Sequence, residues 1–374
     1  LATAGLLARD GHRVTLLEQR DTLGGRSGRW SAEGFTFDTG PSWYLMPEVI
    51  DRWFRLMGSS AAEQMELRRL DPGYRTFFEQ HLDEPPTDVR AGHAEELFEQ
   101  LDPGSSEALR EYLDSGAEVY ELAKKHFLYT NFSRPTDLAR TEVLRNLPRL
   151  GGLLSSSMKS YVAARFRDPR QRQILGYPAV FLGASPDTAP AMYHLMSHFD
   201  MVEGVWYPMG GTRAVAEALT KLASELGATL RPGDEVTGLA IEQGAVKGVR
   251  TASGVTPFDA VISNMDSVRT YRELVGGDVG KSYEKKSFEP ACSGVVLYLG
   301  LNKRYEHLNH HDFVFSRDPE EEFDYIYRKG EPAPDPTAYL AAPSASDPSV
   351  APEGGEALYV LVHTPYLRPH HDWP

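Results

Sequence analysis

The sequence is poor in cysteine, in long apolar runs and in positive charge, and each shortage excludes a class of protein. A single cysteine, Cys292, excludes an intrachain disulfide and a site built from several cysteines, so we expect a reducing, cytoplasmic setting. No run of about 18 residues is free of charged and strongly polar residues, so the sequence predicts no transmembrane helix. Lys and Arg number 39 against 53 Asp and Glu, and the net charge of −14 argues against nucleic-acid binding.

The overall composition is that of an ordinary globular protein. Hydrophobic residues make up 41% of the 374 residues and charged residues 25%. This length allows two or three domains of about 150 residues each. The chain begins at Leu1 inside a helical pattern and stops at Pro374 after an extended one, so the alternative that both ends are missing stays open.

Residues 1–18 have the pattern of the second half of a βαβ nucleotide-binding unit. Small and apolar residues over 1–8 predict a helix that ends by Gly11, and 13–17 predict a short buried strand that ends at Glu18. In such units an acidic residue at this strand end holds ribose hydroxyls. The alternative for Glu18 is a solvated acid at the end of an ordinary strand.

Three turns combine glycine with residues that suit a bound phosphate or ring. In the first, paired glycines let the backbone approach a ligand closely, and the adjacent arginine offers a planar cation to phosphate. The third precedes a predicted helix at 213–226, for which Thr212 is the expected N-cap. The turns hold Gly24, Gly25 and Arg26, then Gly40, Pro41, Ser42 and Trp43, then Gly210 and Gly211. Taken singly, each is an ordinary turn.

Charge is distributed unevenly along the middle of the chain. Residues 82–121 hold 12 acidic residues against Arg90 and Arg110, whereas 140–172 hold eight basic residues against two acidic ones. Leucines are interleaved with the basic residues. This favours either a solvated helical face or a contact with anionic lipid, and it favours a nucleic-acid patch less.

Together these segments resemble the amine-oxidase-like FAD superfamily and, within it, the bacterial-type phytoene desaturases of carotenoid biosynthesis. The resemblance rests on an ordered set of phrases that covers nearly the whole chain. The set consists of Glu18, the 24–26 turn, FTFDTGPSWYLMP at 35–47, WYPMGGT at 206–212, SNMD at 263–266, LYLGLN at 297–302 and APSASDPS at 342–349.

The resemblance implies an α/β fold with α+β elements and three parts. An incomplete Rossmann-like FAD-binding domain is expected at 1–60 and 204–290, a substrate domain with a mixed sheet at 61–90 and 291–374, and an inserted helical, membrane-docking domain at 91–203. It also implies a Gly-rich phosphate-binding turn before Leu1 and a further FAD segment after Pro374.

The resemblance assigns FAD contacts to individual residues. Glu18 would hold the adenosine ribose, and Val236 would contact the adenine side through its backbone. Gly24, Gly25 and Arg26 would sit at the pyrophosphate. Gly40, Pro41, Ser42 and Trp43 would lie near the flavin, and Gly210 and Gly211 would pass close to its ring.

The implied activity is FAD-dependent desaturation of phytoene or a related carotenoid precursor, an apolar polyene. A hydride would pass to the flavin and a proton would be lost, with oxygen or a quinone as the final electron acceptor. Glu142 and Arg145, spaced i,i+3 on a predicted helix, are our candidate catalytic pair, with an exposed surface pair as the alternative. We expect a cytoplasmic protein bound peripherally to the membrane surface.

Several alternatives stay open. The fold also suits a carotenoid isomerase, a ketolase or a diapophytoene-type desaturase, and a third reading is an inactive or lipid-binding fragment. His194 and His198 have an i,i+4 spacing that suits a metal, but no third ligand is apparent, so we predict no metal site and interpret them as lining residues. His310 and His311 are predicted to be a loop pair without a site.

Overall fold

The computed structural model describes residues 1–131, 134, 140–284, 286, 288 and 290–367. The helices are α1 (Ala2–Arg9), α2 (Pro47–Leu56), α3 (Ala61–Gln64), α4 (Ala94–Leu101), α5 (Ser106–Ala123), α6 (Thr141–Ser155), α7 (Met158–Ala163), α8 (Pro169–Gly176), α9 (Pro178–Phe181), α10 (Met196–His198), α11 (Arg213–Glu225), α12 (Ser267–Arg269), α13 (Gly277–Glu284) and α14 (Pro319–Phe323). The strands are β1 (Thr15–Glu18), β2 (Arg29–Ala32), β3 (Phe35–Asp38), β4 (Leu67–Arg69), β5 (Tyr74–Phe78), β6 (Thr87–Val89), β7 (Trp206–Pro208), β8 (Thr229–Pro232), β9 (Gly238–Glu242), β10 (Ala245–Thr251), β11 (Gly254–Pro257), β12 (Ser293–Leu301), β13 (His311–Phe315), β14 (Ala338–Ala341) and β15 (Glu356–Thr364).

One parallel strand pair joins two segments that are far apart in the sequence. Strand β1 pairs in parallel with β8, so that Thr15 lies opposite Thr229 and Glu18 opposite Pro232. Helices α1 and α11 pack together beside this pair, and the buried residues at their contact are alanines, which let two helices approach closely. The sheet of β9, β10 and β11 is antiparallel and follows β8 directly.

A six-stranded mixed sheet brings together segments that are far apart in sequence. Its order is β12-β15-β14-β13-β5-β6; β5 and β13 run parallel, and the other neighbours are antiparallel. In β5 the residues alternate between buried and half-buried, which places Tyr74, Thr76 and Phe78 on one face towards the core. The predicted α/β fold with a mixed sheet is confirmed by this architecture, whereas the division into domains stays a prediction.

Helices α4 to α10 cover this sheet. Helix α5 buries residues at the spacing of one helical face, including Leu109, Tyr112, Leu113 and Val119. Tyr112 packs edge-on against Phe166, with 5.7 Å between ring centroids. Both belong to the largest hydrophobic cluster, which also contains residues of the sheet. The helices therefore lie on a core that they share with β5 and β13.

The acidic and basic segments partly neutralise each other. Arg170 pairs with Glu84 at 2.8 Å, and Arg149 pairs with Glu118. Lys159 pairs with Asp187 and Glu320. Much of the positive charge predicted at 140–172 is therefore used within the protein.

Helix α6 has two apolar stripes. Val143, Leu150 and Leu153 are buried, whereas Leu144, Leu147 and Leu154 are more than half exposed, at 53%, 54% and 56%. Among the helices that the structure describes, none combines the length and the apolar content needed to cross a membrane.

Candidate functional site

The turn at 210–212 is held from several directions. Asp347 accepts a hydrogen bond from the Gly210 N–H at 2.7 Å, and Asp38 accepts one from the Thr212 N–H at 2.6 Å. Thr212 donates through its hydroxyl to the Pro41 carbonyl oxygen at 2.7 Å. Ser27 donates to the Thr212 carbonyl oxygen at 3.2 Å. The three predicted glycine turns therefore meet at one place, because 24–27, 38–43 and 210–213 contact one another there.

The sequence predicts Thr212 as the N-cap of α11, but the capping hydrogen bonds are made by Asp38. Its two carboxylate oxygens accept from the N–H groups of Thr212 and Arg213, the first free donors of α11. Burial raises the pKa of Asp38, and the hydrogen bonds from Thr212 and Arg213 partly offset this rise. The Thr212 side chain makes no cap. A carboxylate from β3 thus fixes the start of a helix 174 residues away.

Two of the glycines are needed for close packing within the protein. An alanine Cβ at Gly40 would lie 1.9 Å from the carbonyl oxygen of Arg26. Gly211 has a φ of +94°, and a Cβ there would lie 2.6 Å from the Asp38 carboxylate. These glycines let the turns approach each other, which no larger residue allows.

Gly25 and Gly210 are different, because little protein lies over them. Gly25 has a φ of +59°, and apart from its chain neighbours no atom of the described residues lies within 4 Å of its Cβ position. At Gly210 the nearest such atom is an Arg29 nitrogen at 3.9 Å. Gly24 instead faces α11, with Ala216 2.9 Å from its Cβ position. Exposed Arg26 follows Gly25 directly. Rigid turns with open glycine backbone and a nearby guanidinium suit a phosphate-bearing cofactor such as FAD.

Glu18 lies at the end of β1, as the sequence predicts. Its carboxylate accepts from the Arg20 N–H at 3.0 Å, and its carbonyl oxygen accepts from the Asp234 N–H at 2.9 Å. Half-buried Val236 follows two residues after Asp234. Glu18 and the segment that leads to Val236 therefore lie side by side.

Trp43 joins the turns to the mixed sheet. Its ring stacks on His311 with 4.8 Å between centroids and 19° between planes. It also lies 5.1 Å from the Phe181 ring and 6.0 Å from the Phe313 ring. The site at 40–43 thus opens onto an aromatic cluster built from β13 and α9, which offers dispersion and π contacts but few charges.

Ser42, Tyr339 and His311 form a buried hydrogen-bonded chain beside Trp43. The Tyr339 hydroxyl donates to Ser42 at 2.8 Å and lies 2.8 Å from His311 Nδ1. Burial, followed by the neighbouring His310, holds the pKa of His311 well below its usual value. The prediction of a loop pair is wrong for His311, which begins β13 and is 0% exposed.

Asp200 is a second buried polar group near the cluster. It accepts a hydrogen bond from the Tyr74 hydroxyl at 3.0 Å, and the Tyr74 ring lies 5.5 Å from the Trp43 ring. The other carboxylate oxygen is buried and has no hydrogen-bond partner among the residues that the structure describes. Burial raises the pKa of Asp200 to about 7, against the opposing effect of the Tyr74 hydrogen bond.

This raised pKa predicts a pH-dependent loss of stability. Because the folded-state pKa of about 7 exceeds the usual 3.8, the native state binds the proton more tightly than the unfolded state does. The contribution of Asp200 to stability therefore falls as pH rises from about 4 to 7. In urea unfolding, we expect the free energy of unfolding of Asp200→Asn, measured relative to that of the wild type, to increase as the pH rises from about 5 to about 8.

The exposed Asp83→Asn is the control for removal of a negative charge. A difference between wild type and Asp200→Asn that stays constant over this pH range would contradict the buried, proton-binding state of Asp200.

Glu142 and Arg145 lie on α6, outside the hydrogen-bonded glycine turns described above. Glu142 is paired with Lys125 and His126, the latter at 2.9 Å, and within the described residues no ion pair joins it to exposed Arg145. The i,i+3 pairing is therefore wrong, whereas their catalytic role stays a prediction.

Burial lowers the pKa of His194 to about 4, and its ring is hydrogen-bonded to Ser115 and Ala191.

Sequence reasoning missed the residues that hold the site together. Asp38 and Asp347 lie within the motifs at 35–47 and 342–349, but neither was predicted to be a site residue. An acidic residue one or two positions before a turn is nevertheless a usual acceptor for backbone N–H groups. His311, Tyr339 and Tyr74 are brought together by the pairing of β13 with β14 on one side and with β5 on the other, and Asp200 joins them through its hydrogen bond from Tyr74. No local pattern predicts these pairings.

Comparison with known proteins shows which family the chain belongs to. The sequence pattern of the flavin-containing amine oxidoreductase family matches residues 1–268. The chain belongs to this family. A carotenoid 3,4-desaturase from Haloarcula japonica is 39% identical over 368 residues, which cover 97% of this chain and 73% of that protein. A zeta-carotene-forming phytoene desaturase from Myxococcus xanthus is 35% identical over 374 residues, which cover 72% of that protein.

The fold agrees with family membership. An oxidoreductase from Methanosarcina mazei superposes with a TM-score of 0.61 and 17% identity, over 98% of this chain and 76% of that protein. As a member of the flavin-containing amine oxidoreductase family, the protein described here uses FAD, and its open glycine turns fit that cofactor.

Proposed function

We propose that the protein is an FAD-dependent carotenoid desaturase that acts on phytoene or a related polyene. The observation that carries the proposal is the junction of two surfaces. Open glycine turns suited to FAD meet, at Trp43, an aromatic cluster suited to an uncharged polyene. The relatives named as carotenoid desaturases support this substrate class.

FAD, when bound, supplies the acceptor for a hydride. Glu18 and the backbone of Val236 would hold its adenosine end, and Gly24, Gly25 and Arg26 its pyrophosphate. Gly210, Gly211 and the segment formed by Gly40, Pro41, Ser42 and Trp43 would lie at the ring. The protein's part is to bind, to orient and to exclude water from the reacting carbons.

A hydrocarbon substrate offers no hydrogen bond, so it is bound by shape and dispersion. Phe181 and Phe313 flank Trp43 and supply apolar surface of this kind. The rigid Asp38 and Asp347 contacts would fix the ring-binding turn relative to that surface. The C–C bond that reacts is then determined by how far the polyene extends into the apolar site, not by polar contacts.

Glu142 remains our proposed catalytic carboxylate, with Arg145 beside it on α6. Hydrogen bonds from Lys125 and His126 lower the pKa of Glu142, which keeps it ionised. An ionised carboxylate would offset positive charge on a polyene intermediate.

Helix α6 is the proposed membrane contact. Its exposed stripe of Leu144, Leu147 and Leu154 runs beside exposed Arg140 and Arg145. Apolar residues that dip below the headgroups, next to basic residues that meet anionic lipid, are typical of a helix lying in the membrane surface. A lipid substrate would reach the protein from that side.

The exposed stripe predicts membrane binding that depends on its leucines. We expect Leu144→Asp, Leu147→Asp and Leu154→Asp together to weaken flotation with phosphatidylcholine–phosphatidylglycerol vesicles more than about tenfold, because three exposed leucines that would enter the lipid become charged. Val255→Asp with Ile262→Asp, at 60% and 63% exposure, is the matched control. Equal flotation of all three proteins would contradict membrane docking through α6.

The function is tested by product analysis. The FAD-loaded protein is incubated in liposomes with phytoene or with more unsaturated polyenes, and the extracted pigments are separated by chromatography and mass spectrometry. Loss of two hydrogens with a red-shifted spectrum is expected. An isomer of unchanged mass, an oxygenated product or an unchanged substrate would contradict the desaturase assignment.

A further inference from the structure

Arg29 lies at the open side of the turn that is proposed to hold the flavin ring. A Cβ at Gly211 would point into the protein, 2.6 Å from the Asp38 carboxylate, whereas a Cβ at Gly210 would point into open space. Apart from the chain neighbours of Gly210, the nearest atom of the described residues to that position is Nη2 of Arg29, at 3.9 Å. A group that lies on Gly210 therefore meets the Arg29 guanidinium.

The backbone N–H groups of this turn are already used within the protein. Carboxylates accept from the N–H groups of Gly210 and Thr212, at 2.7 and 2.6 Å, as described above. The N–H of Gly211 is donated to the Pro208 carbonyl oxygen at 2.9 Å. The turn can therefore offer a ring its open backbone surface but no hydrogen-bond donor of its own.

The Arg29 side chain keeps donors that the described contacts do not use. It is 33% exposed, and Nη2 donates to the Gly210 carbonyl oxygen. Nη1 lies 3.5 Å from a carboxylate oxygen of Glu217, whose side chain is 53% exposed. A guanidinium has five N–H groups and does not lose its proton in proteins, so donors and a full positive charge remain at the open side of the turn.

Two segments with proposed ring contacts flank Arg29. In the pair of β2 and β3, Arg29 lies directly opposite Asp38, two residues before Gly40. On the other side, its hydrogen bond reaches Gly210. The pyrophosphate is expected at the 24–26 turn, where exposed Arg26 supplies a cation. The position of Arg29 therefore favours the ring over the phosphates.

We propose that the Arg29 guanidinium contacts the pyrimidine edge of the flavin, at N1 and the C2 carbonyl oxygen, and stabilises the negative charge that the ring gains on reduction. This rests on the proposed function, and in particular on the ring lying over Gly210 and Gly211. A fixed cation that faces the place where charge develops favours the reduced flavin.

The charge arises in the hydride step. One C–H bond of the polyene breaks, and its electron pair moves with the hydrogen to N5 of the ring. The resulting negative charge spreads over N1 and the C2 carbonyl oxygen. The polyene carbon left positive is neutralised when the adjacent carbon gives up a proton and the electron pair of that C–H bond becomes the new C=C bond.

Glu217 opposes the effect of Arg29. One of its carboxylate oxygens lies 3.5 Å from Nη1 of Arg29 and 3.5 Å from Nε of Arg213, so it reduces the positive potential beside the turn. The carboxylates of Asp38 and Asp347 are bound by backbone N–H groups of the turn. Removing the charge of Glu217 should therefore change flavin reduction in the direction opposite to removing that of Arg29.

The first test compares reduction potentials of the FAD-loaded protein against a reference dye and needs no polyene. Arg29→Gln is expected to make the reduced form at least about tenfold less favourable, which lowers the potential of a two-electron couple by about 30 mV. Arg29→Lys keeps the charge and is expected to restore most of this loss, and Glu217→Gln is expected to raise the potential. Arg110→Gln, which removes an arginine of α5 that pairs with Glu95 at 2.6 Å, is the matched control and should leave the potential unchanged.

The second test separates the ring from the pyrophosphate. The reduced protein is titrated with acid and base, and the ionisation of flavin N1 is followed by absorption; Arg29→Gln is expected to raise the pKa of this nitrogen. FAD affinity and the thermal midpoint are measured for each variant and report on binding and folding. An Arg29→Gln protein that loses FAD affinity but keeps the wild-type potential and N1 ionisation would place Arg29 at the phosphates and overturn the proposal.

The outcomes keep the role of Arg29 apart from the desaturase function. A wild type that desaturates polyenes, alongside a folded and FAD-loaded Arg29→Gln whose potential matches that of Arg110→Gln, contradicts the role of Arg29 alone. A wild type that leaves every polyene unchanged, while Arg29→Gln and Glu217→Gln shift the potential in opposite directions, contradicts desaturation and supports the contact with the ring.

Discussion

Gly40→Ala is expected to destabilise the protein by about 3 kcal/mol and to abolish tight FAD binding, because the new Cβ has no room. It would lie 1.9 Å from the Arg26 carbonyl oxygen, a backbone atom that moves only if the whole 24–28 segment moves. That movement separates the turn at 24–26 from the turn at 40–43. Urea unfolding and FAD titration followed by flavin fluorescence measure the two effects.

Gly25→Ala is the matched control, because in the described part of the chain only the neighbours of Gly25 in sequence lie within 4 Å of the new Cβ. Its φ of +59° costs about 1 kcal/mol with a side chain present. If the cofactor lies over Gly25, this variant loses FAD affinity out of proportion to its small loss of stability. A Gly40→Ala protein of wild-type stability, or a Gly25→Ala protein with wild-type FAD affinity, would contradict this placement of the turns.

Asp38→Ala combined with Asp347→Ala is expected to release the 210–212 turn and to weaken FAD binding at least about tenfold. Each substitution leaves backbone N–H groups without acceptors, at a cost of about 1–2 kcal/mol. Since both carboxylates hold the same turn, the two losses should not be additive. The free energy of unfolding and FAD affinity of both single variants and of the double variant give the coupling.

Asp51→Ala is the control for losing a cap elsewhere. Asp51 accepts from the Ala61 N–H at 2.7 Å at the start of α3, away from the turn. It should lose comparable stability and keep FAD affinity. Additive losses, or FAD affinity that falls equally in Asp51→Ala, would show that the two carboxylates do not act on the turn together.

Local sequence patterns predicted the parts of this site that are local. The strand that ends at Glu18 and the helix after Gly210 and Gly211 follow from apolar spacing and glycine placement, and β1 and α11 have nearly these bounds. Recognising the ordered phrases then predicted the fold and the cofactor. The cap of α11 was missed because its acceptor, Asp38, lies 174 residues away.

Long-range pairing accounts for the other errors. The apolar centre of 259–264 predicts a buried strand, yet no described segment pairs with these residues and Ile262 is 63% exposed. A strand depends on hydrogen bonds to a neighbour, which its own sequence does not specify. His311 illustrates the reverse case, since its burial depends on β5 and β14 on either side. Glu142 was paired with Arg145 by spacing, whereas Lys125 and His126 reach it from another element.

The most direct measurement of the central claim is flavin reduction by a polyene without oxygen. The FAD-loaded protein is mixed anaerobically with phytoene in liposomes, and the flavin and polyene absorption bands are followed together. The account predicts that the oxidised flavin band bleaches while a red-shifted polyene band grows, with one flavin consumed for each double bond formed. A flavin band that stays unchanged in the presence of the polyene, while dithionite still bleaches it, would contradict the account.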